Sequence, residues 1–306
     1  MTLKTGLALS IERPGYPAPP DLAERRAQMA AGIAAGMFAT MVPPLETELA
    51  GLRTLRFDPP GTPRGYVLQL HGGGFRIGRP EFEGPFAEAL AARCGVTIVV
   101  PQYRLSPETP FPGGLNDALA ALQALQALSE EADEAPLIVS GDSAGAGLAA
   151  SIGLMTAAGL TSRVDGLVLL SPWLDLTVTA PSFAANAASD PLFGTKSARV
   201  AADLYLQGFD PQHPLASPVF AGDRDLQDYP PCLISVGTGE VLLDDSWRFH
   251  ARLNALGRDS RLVALDGMEH VAVVRGRDLP GSAETFAAIT SFVDGILERA
   301  PRPGED

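Results

Sequence analysis

The chain has little charge, few histidines and almost no cysteine, and each shortage removes a class of protein. Of its 306 residues 19% are charged, with 23 basic against 36 acidic, a formal net charge of −13. No stripe or run of Lys and Arg is present, so nucleic acid and anionic membrane surfaces are poor partners. Two cysteines, Cys94 and Cys232, cannot make a disulfide framework. They stand at the end of a predicted helix and the start of a predicted strand, where a thiol serves as a small core residue. No apolar run approaches the length of a membrane span. The opening MTLKTGLALSIERPGYPAPP lacks the sustained apolar stretch and cleavage site of a secretion signal, so the expected location is cytoplasmic. The low charge accompanies 46% hydrophobic residues, enough to bury a large core and to exclude wholesale disorder.

From about residue 51 short apolar runs alternate with helical patterns. RTLRFDP, GYVLQLH, VTIVVPQYR, PLIVSG, GLVLLSP, PPCLISVG and SRLVALDG read as strands. FAEALAARCG, NDALAALQALQALSEEA, AGAGLAASIGLMTAAG, SWRFHARLNALG and ETFAAITSFVDGILERA read as the helices between and after them. That order predicts an α/β fold with a mostly parallel central sheet flanked by helices. Two segments break the alternation. Residues 1–50 contain a helical stretch, DLAERRAQMAAGIAAGMF, with Asp21 as its expected N-cap. Residues 175–225 show no clear strand, although PLFGTKSARVAADLYLQ reads as helix. The expected organisation is an N-terminal helical cap segment (1–50), a first core part (51–174), a cap insertion (175–225) and a second core part (226–306), the two cap pieces forming a lid over the carboxyl edge of the sheet. Two unrelated surface decorations are the alternative.

Residues 138–147 read IVSGDSAGAG. A strand runs into Gly141-Asp142-Ser143-Ala144-Gly145 and a small-residue helix follows, which suits a strained turn that lifts a serine hydroxyl above a sheet. The alternative is a small-residue turn that merely packs closely. A serine needs a base, and the four histidines allow elimination. His71 and His213 precede or lie outside the later strand–helix loops, and His250 falls within a helix. His270, in the loop after SRLVALDG, is the one at a strand's carboxyl end after the serine. The orienting carboxylate should leave a strand end between them. CLISVGTGEVLLDDS offers Glu240, Asp244 and Asp245, of which Glu240 comes soonest and the two aspartates also suit the start of the following helix. The run His71-Gly72-Gly73-Gly74-Phe75 follows another strand and leaves bare N–H groups for a developing oxyanion, with a further donor from Ala144. A phosphate loop would want a Lys-Ser/Thr pair or G-x-G-x-x-G spacing, which GGGFRIGRP lacks.

HGGGF at 71–75, YRLSPE at 103–108 with FP at 111–112, GDSAG at 141–145 and the late histidine together resemble the bacterial hormone-sensitive-lipase-like (family IV) esterases of the α/β-hydrolase superfamily. SPWLDLT, HPLASPVFA and VGTGEVLLDDS are similar to that family's text as well, so the likeness runs from about residue 60 to the C-terminus. The resemblance implies an α/β-hydrolase fold with a helical cap, Ser143 as nucleophile, His270 as base, and Gly73, Gly74 and Ala144 as oxyanion donors. It places Glu240 where many relatives carry aspartate, in the manner of a branch that uses glutamate. It implies supporting roles for Glu108, Asp117 and Asp142, and neither a metal nor an organic cofactor.

The implied activity is hydrolysis of short- to medium-chain acyl esters through an acyl-enzyme, on a small-molecule ester substrate. Alternatives on the same scaffold are a specialised deacetylase, an amide hydrolase, or a non-catalytic small-molecule receptor, the last disfavoured by the presence of His270. Met37, Phe38, Met41, Phe82, Leu204 and Tyr205 are candidates for the cap wall, with core packing as the rival assignment. SRLVALD is a candidate sheet edge for a homodimer.

Overall fold

β-Branched and aliphatic runs of five or six residues are long enough for a buried strand and too short for a helix, and the computed structural model, which describes residues 16–299, forms its sheet from them. In chain order the elements are α1 (Leu22–Ala34), β1 (Leu45–Leu49), β2 (Leu52–Phe57), β3 (Tyr66–Leu70), α2 (Gly84–Cys94), β4 (Thr97–Pro101), α3 (Gly113–Glu131), β5 (Leu137–Asp142), α4 (Ala144–Ala157), β6 (Gly166–Leu170), α5 (Ser182–Ala185), α6 (Thr195–Leu206), β7 (Cys232–Gly237), α7 (Leu243–Ala255), β8 (Ser260–Leu265), α8 (Ala272–Arg275) and α9 (Ser282–Arg299). The eight strands lie in the order β1-β2-β4-β3-β5-β6-β7-β8. β1 pairs with β2, and β2 with β4, antiparallel; every pairing from β4 to β8 is parallel. In β3 to β7 every residue is buried, as expected of strands covered on both faces.

Alternation along the strands divides the core. Leu68, Leu70, Val139, Leu169 and Ile234 pack with α3, α4 and α7 on one face. Val67, Ile138, Val168, Leu170 and Leu233 pack with α2 and α9 on the other. Cys94 closes α2 and Cys232 opens β7, both buried and free, and burial pushes the Cys94 thiol up to about 11.

Three expectations need correction. Residues 45–49 are a strand of the sheet rather than part of a helical segment; LETEL does alternate, but as an outer strand it buries too little to reveal itself. Asp21 makes no side-chain cap to α1; its carboxylate pairs instead with Arg25 at 2.7 Å. Of the candidate cap-wall residues, Leu204 and Tyr205 are core, Tyr205 stacking on Phe75 with centroids 3.8 Å apart. Met37 and Met41 are largely exposed.

Candidate active site

The carboxyl ends of β3, β5, β6, β7 and β8 deliver the site. β5 ends at Asp142, and Ser143 follows with φ 52° and ψ −117°, a backbone region costing about 1–3 kcal/mol for a residue with a side chain. The turn is held by Ser143 N donating to Leu170 O at 2.8 Å and by Ser143 O accepting from Trp173 N at 3.1 Å. A Cβ at Gly145 would collide with the Leu70 carbonyl oxygen, so α4 can lie this close to β3 only with glycine there.

The structure brings Ser143, His270 and Glu240 together although 127 and 30 residues separate His270 from the other two. Ser143 Oγ is 2.9 Å from His270 Nε2, and His270 Nδ1 is 2.7 Å from Glu240 Oε2. All three are buried, with 5%, 8% and 1% exposure. The second oxygen of Glu240 accepts from Gly237 N at 2.6 Å and Ser171 Oγ at 2.8 Å, and Ser171 Oγ in turn accepts from Val271 N at 3.1 Å. Ser171 thus ties the loop after β6 to the carboxylate and to the histidine loop. Sequence reasoning missed it; the only signal was its place at the end of the run GLVLLSP. With both Glu240 oxygens engaged by donors, Nδ1 carries the proton that faces the carboxylate and Nε2 is free to accept from Ser143. Burial opposes a charge on His270, but the Glu240 hydrogen bond and charge, with Asp190 and Asp142, outweigh it and raise its pKa above the ordinary 6.5.

Asp244 and Asp245, the other candidate acids, serve elsewhere. Asp244 Oδ2 accepts from Ser182 N at 2.7 Å, and Asp245 Oδ2 accepts from Leu174 N and Asp175 N at 2.9 Å each. Both pin the 175–225 segment to α7. The remaining histidines also have other contacts. His71 donates from Nδ1 to Gly72 O at 2.8 Å and stacks on Tyr103, and burial lowers its pKa to about 4, which keeps it neutral. His213 accepts from Leu215 N, and His250 lies between Ser260 and Asn254.

The loop after β3 passes beside the serine. Gly73 has φ 113°, and a Cβ there would overlap the Ile77 carbonyl oxygen, so the loop tolerates only glycine. The N–H groups of Gly73, Gly74 and Ala144 donate to no described residue. Asp142 accepts from the Gly72 amide on one side and faces Glu83 across a hydrogen bond on the other. Two carboxylates cannot make that bond, so one proton lies between them. Burial and the Asp142 charge push Glu83 well above the usual carboxylate range, so Glu83 is the protonated partner, and its other oxygen accepts from Gln69 Nε2 at 2.7 Å. Further out, Asp117 accepts from Arg104 N at 2.8 Å and grips its guanidinium. Glu108 holds Arg26 of α1 by two hydrogen bonds of 2.6 and 3.0 Å.

Ser143, His270, Gly73, Gly74, Glu83 and Asp142 open onto one pocket of about 330 Å³. Its walls come from α1 (Arg25, Met29), from Phe38 and Phe82, and from Leu192, Phe193 and Ser197 of the 175–225 segment. Phe193 stacks on His270, centroids 5.7 Å apart. Among the described residues no group of three or more His, Cys, Asp or Glu is arranged to hold a metal, and no helix is long and apolar enough to cross a membrane.

The family described as alpha/beta hydrolase fold matches residues 67–274, which include Ser143, Glu240 and His270. An acetyl-hydrolase of Streptomyces hygroscopicus is 38% identical over 207 residues, covering 67% of this chain and 67% of that protein. An esterase of Acinetobacter venetianus is 33% identical over 249 residues, 81% of this chain and 80% of the other. A solved hormone-sensitive lipase from a metagenome library superposes with a TM-score of 0.82 at 33% identity, over 91% of this chain and 94% of that one. An esterase of the bacterial hormone-sensitive lipase family gives 0.78 at 30% identity, over 92% and 100%. Sheet order, elbow and sequence agree: the chain belongs to the alpha/beta hydrolase fold family, among its hormone-sensitive-lipase-like esterases.

Proposed function

We propose that the chain is a serine carboxylesterase that cleaves short- to medium-chain acyl esters through an acyl-enzyme. Ser143 is the nucleophile, His270 the base and then the acid, Glu240 the carboxylate that orients the imidazole, and Gly73, Gly74 and Ala144 the oxyanion donors. What carries the reading is the hydrogen-bonded run from hydroxyl to imidazole to carboxylate, 2.9 and 2.7 Å, facing a pocket edged by unpartnered amides.

His270 Nε2 takes the Ser143 proton as Oγ bonds to the ester carbonyl carbon and the carbonyl electron pair moves onto oxygen. The amides meet that charge, and Glu240 stabilises the imidazolium. The intermediate collapses, the bond to the alcohol oxygen breaks, and His270 protonates the leaving alcohol. A water molecule, deprotonated by His270, then attacks the acyl-enzyme, and the acid leaves with the proton returned to Ser143. Ser143→Ala lowers kcat by on the order of 10⁴-fold or more and abolishes labelling by a fluorophosphonate; activity within tenfold of the wild type would refute the mechanism. The apolar walls and limited volume of the pocket favour short acyl chains, and a preference for twelve carbons or more in an acyl series would overturn that part.

The likeness to a protein named an acetyl-hydrolase favours a second reading on the same chemistry, deacetylation of a specialised acceptor. Acetyl esters then outrun butyryl and hexanoyl esters of the same alcohol, and acetyl amides serve to separate ester from amide cleavage. We extend the proposal to a homodimer formed across β8, which pairs only with β7 among the described residues.

A further inference from the structure

The pocket next to Ser143 contains three guanidinium groups, from Arg25, Arg76 and Arg275. Two of them are neutralised. Arg25 pairs with Asp21 at 2.7 Å and Arg275 with Glu269 at 2.8 Å. Arg76, half-buried, has no carboxylate at ion-pair distance among the described residues. Its side-chain contacts there are neutral: Nη2 donates to Ser197 Oγ at 2.9 Å and to Ser197 O at 3.5 Å. Burial and the nearby Arg25 both press against its charge, and Asp21 offsets them only in part. An arginine stays charged in a protein all the same.

An uncompensated cation at this depth is costly, and it is out of keeping with a chain that carries 36 acidic residues against 23 basic ones. Its position is fixed from three sides. Arg76 N donates to Gly73 O at 3.2 Å, Arg76 O accepts from Arg26 Nε of α1 at 2.9 Å, and Ser197 of α6 holds the guanidinium. The Cβ position of Gly74 lies 3.8 Å from Arg76 Nε, so the cation stands beside the oxyanion loop. The two carboxyl groups that face the same pocket, Glu83 and Asp142, are turned to each other around one proton. The guanidinium therefore presents a planar, pre-positioned fork of N–H donors, of the kind that matches a carboxylate.

We infer that Arg76 is a specificity-determining residue, and that the preferred substrates are esters bearing a carboxylate, such as half-esters of short dicarboxylic acids. This rests on the esterase reading and adds the substrate class to it. The carboxylate can belong to the acyl or to the alcohol part, and paired substrates separate the two. 4-Nitrophenyl hemiglutarate against 4-nitrophenyl pentanoate places the charge on the acyl side; 4-acetoxybenzoate against its methyl ester places it on the alcohol side.

For the pair whose side meets Arg76, the ratio of kcat/KM, charged over neutral, exceeds one in the wild type. In Arg76→Gln it falls about tenfold to a hundredfold, the loss expressed mainly in KM, and Arg76→Lys retains part of it. A ratio unmoved by Arg76→Gln in both pairs overturns the inference, as does a wild type that favours the neutral ester in both. Titration of the wild-type protein with glutarate against glutaramide tests it without turnover: saturable binding of glutarate alone, weakened in Arg76→Gln, supports it, and equal or absent binding sinks it. Failure to hydrolyse any of the four esters would sink the esterase reading itself; hydrolysis of the neutral esters with an unmoved ratio would sink only the role of Arg76.

Discussion

At the scale of single residues, the site depends on where two protons sit. Glu240 holds the His270 imidazolium up in pKa against the opposing effect of burial. A base must be neutral to accept a proton, so kcat/KM rises with pH through a midpoint above 6.5, the ordinary imidazole value. Glu240→Gln removes the charge and offers an amide that favours the wrong tautomer. It lowers kcat by roughly 10³- to 10⁴-fold, and the remaining activity has its acid limb at lower pH; a pH–rate profile with an unshifted limb would count against Glu240 as partner. The second proton lies between Glu83 and Asp142. A group whose folded pKa is raised contributes stability that is complete below its unfolded pKa and lost as pH rises through the folded value. Glu83 is such a group, so part of the wild-type stability is lost as pH climbs from near 4.5, the ordinary carboxyl value, to its raised folded value. Glu83→Gln keeps a donor toward Asp142 and an acceptor for Gln69 at every pH, and its Tm falls less steeply over that range. Parallel Tm curves would exclude the shared proton.

At the scale of elements, α4 and the loop after β3 set the geometry. From Ala144 to Met155 every residue of α4 is buried, and eight of the twelve are Gly, Ala or Ser. A helix apolar all round belongs inside, and its glycines let it approach the strands backbone to backbone. Gly145→Ala pushes a methyl group into the Leu70 carbonyl; the shift costs about 1–3 kcal/mol of stability and moves Ser143 away from His270. Urea unfolding and turnover report the two effects separately, and a variant unaltered in both would show that the close approach is dispensable. The signals for these elements were local. The apolar run before Gly141, the small residues after it and the triple glycine after β3 each lie within a few residues of the feature they produce. β1 was not legible, because an outer strand of five residues with polar positions exposed resembles a loop. Nor was the absence of a side-chain cap at Asp21, since a carboxylate at a helix start can serve Arg25 as readily as an amide.

At the scale of the whole molecule, the pocket is closed by pieces far apart in the chain. Arg26 of α1 reaches Arg76 O, Ser106 O and Glu108, while Phe193 and Ser197 come from the 175–225 segment. The outer edge of β8 is open among the described residues. If it serves a homodimer, sedimentation at micromolar concentration gives twice the mass of the chain, and Ala264→Pro, at a residue whose N–H faces away from β7, lowers it to one; a wild-type monomer would remove the idea.

Composition, strand–helix order and the spaced motifs were enough to determine the α/β layers, the serine turn, the glycine loop and the late histidine, because each is encoded by neighbours in sequence. Spacing alone left Glu240, Asp244 and Asp245 open. Only the tertiary structure put Glu240 within 2.7 Å of His270 and gave the two aspartates to the 175–225 segment, and only it left Arg76 without a counter-charge beside the serine. Side-chain reach and charge balance depend on which loops the sheet order brings to one edge, and no periodicity along the chain records that.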